Sequence, residues 1–407
     1  MIIKTPTKGM RDFLPEEMAL REYVLNVMKE TYKAYGFSLI GTPVVEHIEN
    51  LTSKQGGENE KLIFKIMKRG EKLNLDNITN ENDLVDSGLR YDLTVPLTRL
   101  YANNMNELPH PFRALQIGYS YRAERPQRGR YRELMQCDLD ILGEKTNLAE
   151  IELMMAVTSF LEKLDFKGFK IRINDRRILL KMVSFVGLPE DKLDSILISL
   201  DKMDKIGLDG VREELIKLSL DKEKVDAYLN LFSKQDTDLK NFCAQFKMDE
   251  EVVSNLHFIM DTVSNNTNAT LVFDPTLVRG MGYYTGTIFE IEAEGLSSSI
   301  GGGGRYDKMI EKFTNMSVPA CGFSIGFERI ITILKEKEHN LPIDNCDKVA
   351  IVVDKDITKE ALCDVFQEAK ALREKEHKQV LVVYKTKNFK FQKDKLAEEG
   401  YNELIFR

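Results

Sequence analysis

The run ALQIGYSYRAE-RPQRGR-YRELMQCDLDIL, residues 114–142, carries the strongest local pattern in the chain. Leu115, Ile117, Tyr119 and Tyr121 fall at odd positions, as do Tyr131, Met135, Cys137, Leu139 and Ile141. The even positions hold Arg122 and Glu124, then Arg132, Gln136, Asp138 and Asp140. Side chains of a strand alternate between faces, so this pattern predicts two antiparallel strands with one apolar face and one polar, charged face. A solvated sheet face gives the same alternation. The composition argues for more: residues 121–132 contain five arginines and no lysine. Guanidinium groups hold phosphate bidentately, whereas a face selected only for solubility would mix in lysine.

Outward from the hairpin, residues 89–96 (LRYDLTVP) read as a further strand leading into a helix, with Arg90, Asp92 and Thr94 sharing one face. Residues 16–35 read as an amphipathic helix with Leu20, Tyr23, Val24, Val27, Met28 and Thr31 on one stripe, closed by Gly36. FSLIGTPVVEH (37–47) follows as a strand that Pro43 confines to an edge or interface. The stripe has no obvious partner within the chain, so a homodimer is expected. A helix near 147–164 and a strand near 168–174 precede a Leu-, Lys- and Glu-rich stretch, about 176–262, that reads as a helical insertion. Strands return at TLVFDP, TGTIFEIE and GGGGRYD, and CGFSIGFERIITIL reads as a strand or turn entering a helix. A polar, proline-bearing linker then leads to VAIVV, a helix near 357–376, VLVVY and ELIF, a small α/β domain. The expected division is 1–325 for the main domain, 326–345 for the linker and 346–407 for the last domain.

With 407 residues, of which 43% are hydrophobic and 30% charged, the chain has the length of two or three ordinary globular domains. It has no apolar run long enough for a membrane span, and its N-terminus lacks the apolar core of a signal peptide. Five dispersed cysteines without a CxxC pair signal neither a disulfide framework nor a zinc site, and a cytoplasmic location is expected. The net charge of −7 disfavours nonspecific nucleic-acid binding and directs attention to the local arginine cluster. GGGGRYD (301–307) is neither a P-loop nor a dinucleotide fingerprint, although its glycines permit close approach to backbone. LVRGMGYY (277–284) sets Arg279 beside glycines and two tyrosines, and GFERI (326–330) opens a helix carrying Arg329.

Together these segments resemble the class II aminoacyl-tRNA synthetases, and within them the histidyl-tRNA synthetase family, over nearly the whole chain. KGMRDFLPEE and the helix and strand up to Pro43 are similar to motif 1, YRAERPQRGRYRELMQ to motif 2 and GFSIGFERI to motif 3. LVRGMGYY and GGGGRYD are similar to the two signatures peculiar to the histidine enzymes. The resemblance implies an α+β fold: a class II synthetase-like antiparallel sheet flanked by helices, with a helical insertion and a small C-terminal α/β anticodon-binding domain. It implies formation of histidyl-adenylate from histidine and ATP with Mg²⁺, then transfer to histidine tRNA.

The resemblance also assigns roles. Arg122 would hold the α-phosphate and the substrate carboxylate, Arg279 would stabilise the pentacoordinate phosphorus, and Arg329 would pack on adenine and reach the γ-phosphate. Glu124 would bind the adenine amino group. Asp92, Thr94 and Gln136 would bind the α-amino group, Asp140 and Tyr284 the imidazole nitrogens, and Tyr283 would line the pocket. Arg125 and Gln127 in the hairpin loop would meet the tRNA acceptor stem. No protein side chains are expected to bind a metal. Leu134 stands where the family has a phenylalanine stacking on adenine, and Gly282 where it has an aspartate. The last domain is one or two elements shorter than the family pattern. Two other readings fit parts of the pattern. One is a non-catalytic paralogue such as the regulatory subunit of ATP phosphoribosyltransferase; the other is an RNA-binding module with a helical arm. Retention of Arg122, Arg279 and Arg329 argues against the first, and the carboxylate-lined face against the second.

Overall fold

In the computed structural model the arginine-bearing hairpin lies inside the largest sheet. The structure describes residues 2–52, 58–73, 78–126, 130–166, 168–233, 238–279, 283–293, 299–336, 341–343 and 346–407. In chain order the strands are β1 (Ser38–Ile40), β2 (Val45–His47), β3 (Lys65–Met67), β4 (Val85–Leu89), β5 (Phe112–Tyr121), β6 (Glu133–Leu142), β7 (Lys170–Asp175), β8 (Thr270–Phe273), β9 (Thr287–Glu292), β10 (Gly301–Arg305), β11 (Ala320–Gly326), β12 (Lys348–Val353), β13 (Gln379–Tyr384) and β14 (Glu403–Phe406). Among the described residues eight of them form one sheet in the order β1-β5-β6-β11-β10-β9-β7-β8. Its inner pairs are antiparallel; the two outermost pairs, β1–β5 and β7–β8, are parallel.

The hairpin pairs Phe112 with Leu142 through to Tyr121 with Glu133, as its alternation predicts. Its apolar face, with Cys137, Leu139 and Ile141 all at most 1% exposed, lies in the core. The helix Leu148–Lys163 packs beside it and meets the helix Pro15–Ala34, where Tyr32 and Phe160 approach to 5.6 Å. The apolar stripe of Pro15–Ala34 is therefore covered within the chain, since Leu20, Val24 and Met28 are buried. That removes the reason first given for expecting a dimer. Apolar residues left open here include Leu14 and Met18 at the start of the helix and Leu39, Val44 and Val45 in and beside the short strands.

The polar face of the hairpin is not solvated. Gln116, Ser120, Gln136, Asp138 and Asp140 are all buried. Two other expectations also change. FSLIGTPVVEH is two strands rather than one: β1 belongs to the main sheet, and β2, beyond Pro43, to a three-stranded sheet of order β2-β4-β3. The strand expected at 89–96 ends at Leu89, and Thr94–Asn104 is a helix. Asp92 accepts a hydrogen bond from the Val95 amide at 3.1 Å, so it serves the first turn of that helix rather than a strand face. Pro96 is tolerated because a first-turn residue needs no N–H partner.

The helical stretch lies between β7 and β8, beginning at the helix Arg176–Phe185 and ending with the helix Glu250–Asn266. The Asp175 carboxylate opens it by accepting from the Arg177 amide at 2.8 Å. The chain separates into two units, residues 1–339 and 340–407. Helix Phe327–Glu336 belongs to the first, with Ile330, Ile331 and Leu334 buried, so the linker expected from 326 begins later. In the second unit β12 lies between β13 and β14, both parallel to it. Val349, Ile351 and Val353 enter one core with Val365 and Ala369, and Ala350 and Val352 enter another with Leu396. A central parallel strand covered on both faces reads as continuous apolar sequence, and VAIVV does.

Candidate active site

The polar face of β6 is the floor of a cavity of about 320 Å³. Nine residues singled out in the sequence line it: Asp92, Thr94, Arg122, Glu124, Gln136, Arg279, Tyr283, Tyr284 and Arg329. Asp140 lines a smaller recess of about 30 Å³, whose wall shares Thr94, Asp138, Tyr283, Tyr284 and Ser324 with the main cavity. One expected residue lies elsewhere. Arg125 is exposed and lines neither space, and Gln127 lies outside the described residues. Gly282 also lies outside them. Leu134 lines the main cavity.

One side of the cavity is cationic. Arg122 donates through Nε to the Tyr91 carbonyl at 3.1 Å, and its guanidinium lies 4.4 Å from the Tyr91 ring centre. Arg279 donates through Nη1 to Glu290 at 2.6 Å. It lies against β10 because position 302 is glycine; a Cβ there would come within 2.5 Å of Nη1. Arg329 donates to the Ser299 carbonyl. Burial lowers the Arg329 pKa, with Arg130 as the next cause; Arg279 and Arg122 add to this, and Glu290 opposes it. Positive charges gathered this closely suit a polyanionic ligand. Arg130, at the end of the hairpin loop, also lines the cavity, 3.7 Å from the Glu124 carboxylate.

The floor is acidic and deeply buried. Asp140 Oδ1 accepts from the Tyr306 hydroxyl at 2.5 Å, while its Oδ2 is buried with no hydrogen-bond partner among the described residues. Burial is the main cause holding the Asp140 carboxyl well above the usual range, with Asp138 adding to it. Burial likewise raises Asp92. Gln136 donates through Nε2 to Ser324 Oγ at 3.1 Å, and its Oε1 is buried with no partner among the described residues. Tyr283 and Tyr284 pack at 4.8 Å, and Tyr283 meets Tyr306 edge-on at 6.0 Å. The site thus offers an arginine wall for an anion. Beside it stand two buried acceptor atoms left for donors that a ligand would bring.

Sequence reading missed Tyr306, Ser324 and a three-residue brace. Glu328 lines the cavity and accepts from Arg21 at 2.8 and 2.9 Å and from Arg11 at 2.8 Å; Arg11 stacks on Tyr131 at 3.8 Å. The brace ties the N-terminal segment to the helix after β11. Arg21 and Glu328 are 307 positions apart, and neither carries a local signal of the other. Arg305, within the glycine signature, is structural: it pairs with Glu150 at 2.6 Å. Among the described residues no group of three or more His, Cys, Asp or Glu side chains could hold a metal, and no helix is long and apolar enough to cross a membrane.

A family model described as histidyl-tRNA synthetase matches residues 9–330. A histidine–tRNA ligase of Leifsonia xyli subsp. xyli is 41% identical, the match covering 99% of this chain and 95% of that protein. One from Christiangramia forsetii is 37% identical over 81% of this chain and 76% of that protein. Among solved structures, the histidyl-tRNA synthetase of Nostoc sp. PCC 7120 superposes with a TM-score of 0.80 at 26% identity, covering 100% of this chain and 92% of that one. An ATP phosphoribosyltransferase regulatory subunit/histidyl-tRNA synthetase from Bacillus halodurans C reaches 0.79 at 20% identity, covering 100% and 98%, a likeness of fold alone. The extent of these matches, on a cavity assembled from the same segments, shows that the chain belongs to the histidyl-tRNA synthetase family.

Proposed function

We propose that this chain is a histidine–tRNA ligase, joining histidine to ATP's α-phosphate and passing the histidyl group to histidine tRNA. The observation that carries the reading is the pair of buried, unpartnered acceptors, Gln136 Oε1 and Asp140 Oδ2, on the floor beneath the arginine wall. Histidine brings a donor for each: its α-ammonium for the first and an imidazole N–H for the second. A site built for those donors rejects amino acids that lack them.

In the first step a carboxylate oxygen of histidine attacks the α-phosphorus in line. The O–P bond forms as the bond to pyrophosphate breaks, and no covalent enzyme intermediate is needed. The chain's part is positioning and charge neutralisation. Arg122 holds the α-phosphate and the carboxylate, Arg279, packed against β10 at Gly302, faces the phosphorus, and Arg329 supports adenine and the γ-phosphate. Glu124 takes the adenine amino group; Asp92, Thr94 and Gln136 take the ammonium; Asp140 and Tyr284 read the ring with Tyr283 beside them. Mg²⁺ would come with ATP and would add to the charge neutralisation that Arg122, Arg279 and Arg329 supply. In the second step a terminal hydroxyl of the tRNA attacks the histidyl carbonyl and releases AMP.

Arg125 and Gln127 meet the acceptor stem, the first unit, residues 1–339, carries the catalytic domain, and the last domain contacts the anticodon. The protein acts in the cytoplasm, as its free cysteines suit, and as a homodimer joined near Leu39, Val44 and Val45. Histidine-dependent ATP–pyrophosphate exchange, followed by aminoacylation of histidine tRNA with and without its extra 5′ guanosine, tests the reading. No exchange from well-folded protein would refute it.

A further inference from the structure

The cavity floor contains a carboxylate that the reaction above does not use. Asp138 lies on β6 between Gln136 and Asp140, on the same face, and is 4% exposed. Opposite it in the register stands Ser324 of β11. Ser324 Oγ donates to Asp138 Oδ1 at 2.5 Å, and the same Oγ accepts from Gln136 Nε2 at 3.1 Å. Gln136 Oε1 is left buried and unpartnered among the described residues.

The direction of this chain follows from proton counting. A serine hydroxyl has one proton and two lone pairs. With its proton committed to Asp138 Oδ1, an acceptor whether the group is ionised or carries its own proton on Oδ2, Ser324 offers Gln136 lone pairs only, and an amide facing lone pairs must turn its NH₂ toward them. The amide oxygen is then aimed into the cavity. Without the carboxylate, the hydroxyl proton is free to point at Gln136, and the amide gains an equally satisfied arrangement turned over by half a rotation. In that arrangement it shows N–H groups to the place where an ammonium must sit, and donor meets donor.

We infer that Asp138, acting through Ser324, is a positioning residue that holds the Gln136 amide with its oxygen toward the α-ammonium of the substrate. The inference rests on the reading of Gln136 as a ligand of that ammonium. It gives the site a means of selecting for the amino group that is separate from recognition of the ring.

The test uses the full-length protein and four ligand measurements: KM for histidine, KM for ATP, kcat in pyrophosphate exchange, and Kd for imidazole-propionate, which is histidine without its amino group. Asp138→Ala and Ser324→Ala are each expected to raise the histidine KM by about 10-fold or more, the scale of a lost hydrogen bond to a charged group. The ATP KM, kcat and the imidazole-propionate Kd should stay within about twofold, a change too small to represent a lost contact. An unchanged histidine KM in both variants overturns the inference. So does an equal loss of imidazole-propionate affinity, which would mean that the floor had been disturbed in general. Gln136→Ala separates the two claims. If it weakens histidine while Ser324→Ala does not, the positioning chain alone fails; if it leaves histidine unaffected, the underlying reading of Gln136 fails.

Discussion

At the residue scale, the floor couples substrate recognition to a cost in stability. Burial, with Asp92 adding and the Ser324 hydrogen bond opposing, raises Asp138 from 3.8 to about 7. Between those two pH values the folded protein holds a proton that the unfolded chain has released. The stability linked to Asp138 is therefore fully present below about pH 4 and is lost as pH rises through about 7. Asp138→Asn has no proton to lose there. Its Tm relative to the parent should rise from pH 5 to pH 8, by an amount corresponding to a few kcal/mol at most. A difference independent of pH would mean that the carboxyl titrates normally. Asp138→Ala is expected to weaken histidine, so this site exchanges stability for selectivity. Arg279 makes the opposite kind of contribution. Its guanidinium is anchored to Glu290 at the edge of the cavity, and Arg279→Ala should lower exchange by roughly 10³-fold or more, the scale seen for preorganised charge at a transition state. Circular dichroism and Tm should stay near those of the parent; normal exchange would remove Arg279 from the chemistry.

At the element scale, the hairpin was legible because alternation is a local property, and the parity that separates Leu139 from Asp138 and Asp140 survives in the sheet. Its environment was not legible. A polar strand face reads the same whether water or a cavity lies over it, and only tertiary packing buries Gln136 and Asp138. The segment 89–96 was misread because Arg90, Asp92 and Thr94 also alternate; aspartate three residues before the Val95 amide was the available capping signal. Tyr306 had none, since its partner Asp140 is 166 positions away. The glycine run, expected as a strand, is β10, pressed against its neighbours. A Cβ at Gly303 would fall 1.9 Å from the Gly322 carbonyl oxygen. Backbone cannot yield as a flexible side chain does, so Gly303→Ala should destabilise the first unit by about 3 kcal/mol or more. An unchanged denaturation midpoint would mean that the sheet accommodates it. The short strands near the N-terminus leave Leu39 57% and Val45 48% exposed. If this patch joins two copies, Leu39→Asp with Val45→Asp should convert a dimer to a monomer in sedimentation at micromolar concentration, since buried unpaired charge is strongly disfavoured. A dimer that persists would place the interface elsewhere.

At the scale of the whole molecule, the chemistry and the second unit separate along the chain. Every described residue lining the cavity belongs to residues 1–339, while residues 340–407 close their own cores around β12. The second unit carries five lysines between 385 and 395, with Tyr384 and Phe391 exposed among them, a combination suited to phosphate and base stacking. On the proposed function, histidine and ATP belong to the first unit alone, and tRNA to both. A fragment of residues 1–339 should accordingly keep histidine-dependent exchange, with KM values for histidine and ATP close to those of the whole chain. Aminoacylation should suffer through the tRNA term, because removing one of two linked binding modules forfeits their effective concentration. A rise in tRNA KM on the order of 10²-fold is expected, with kcat at saturating tRNA much less affected. Loss of exchange together with charging would show that the first unit needs the second to fold or to hold its cavity. An unchanged tRNA KM would instead confine recognition to the acceptor end, leaving Arg125 and the hairpin loop to account for it.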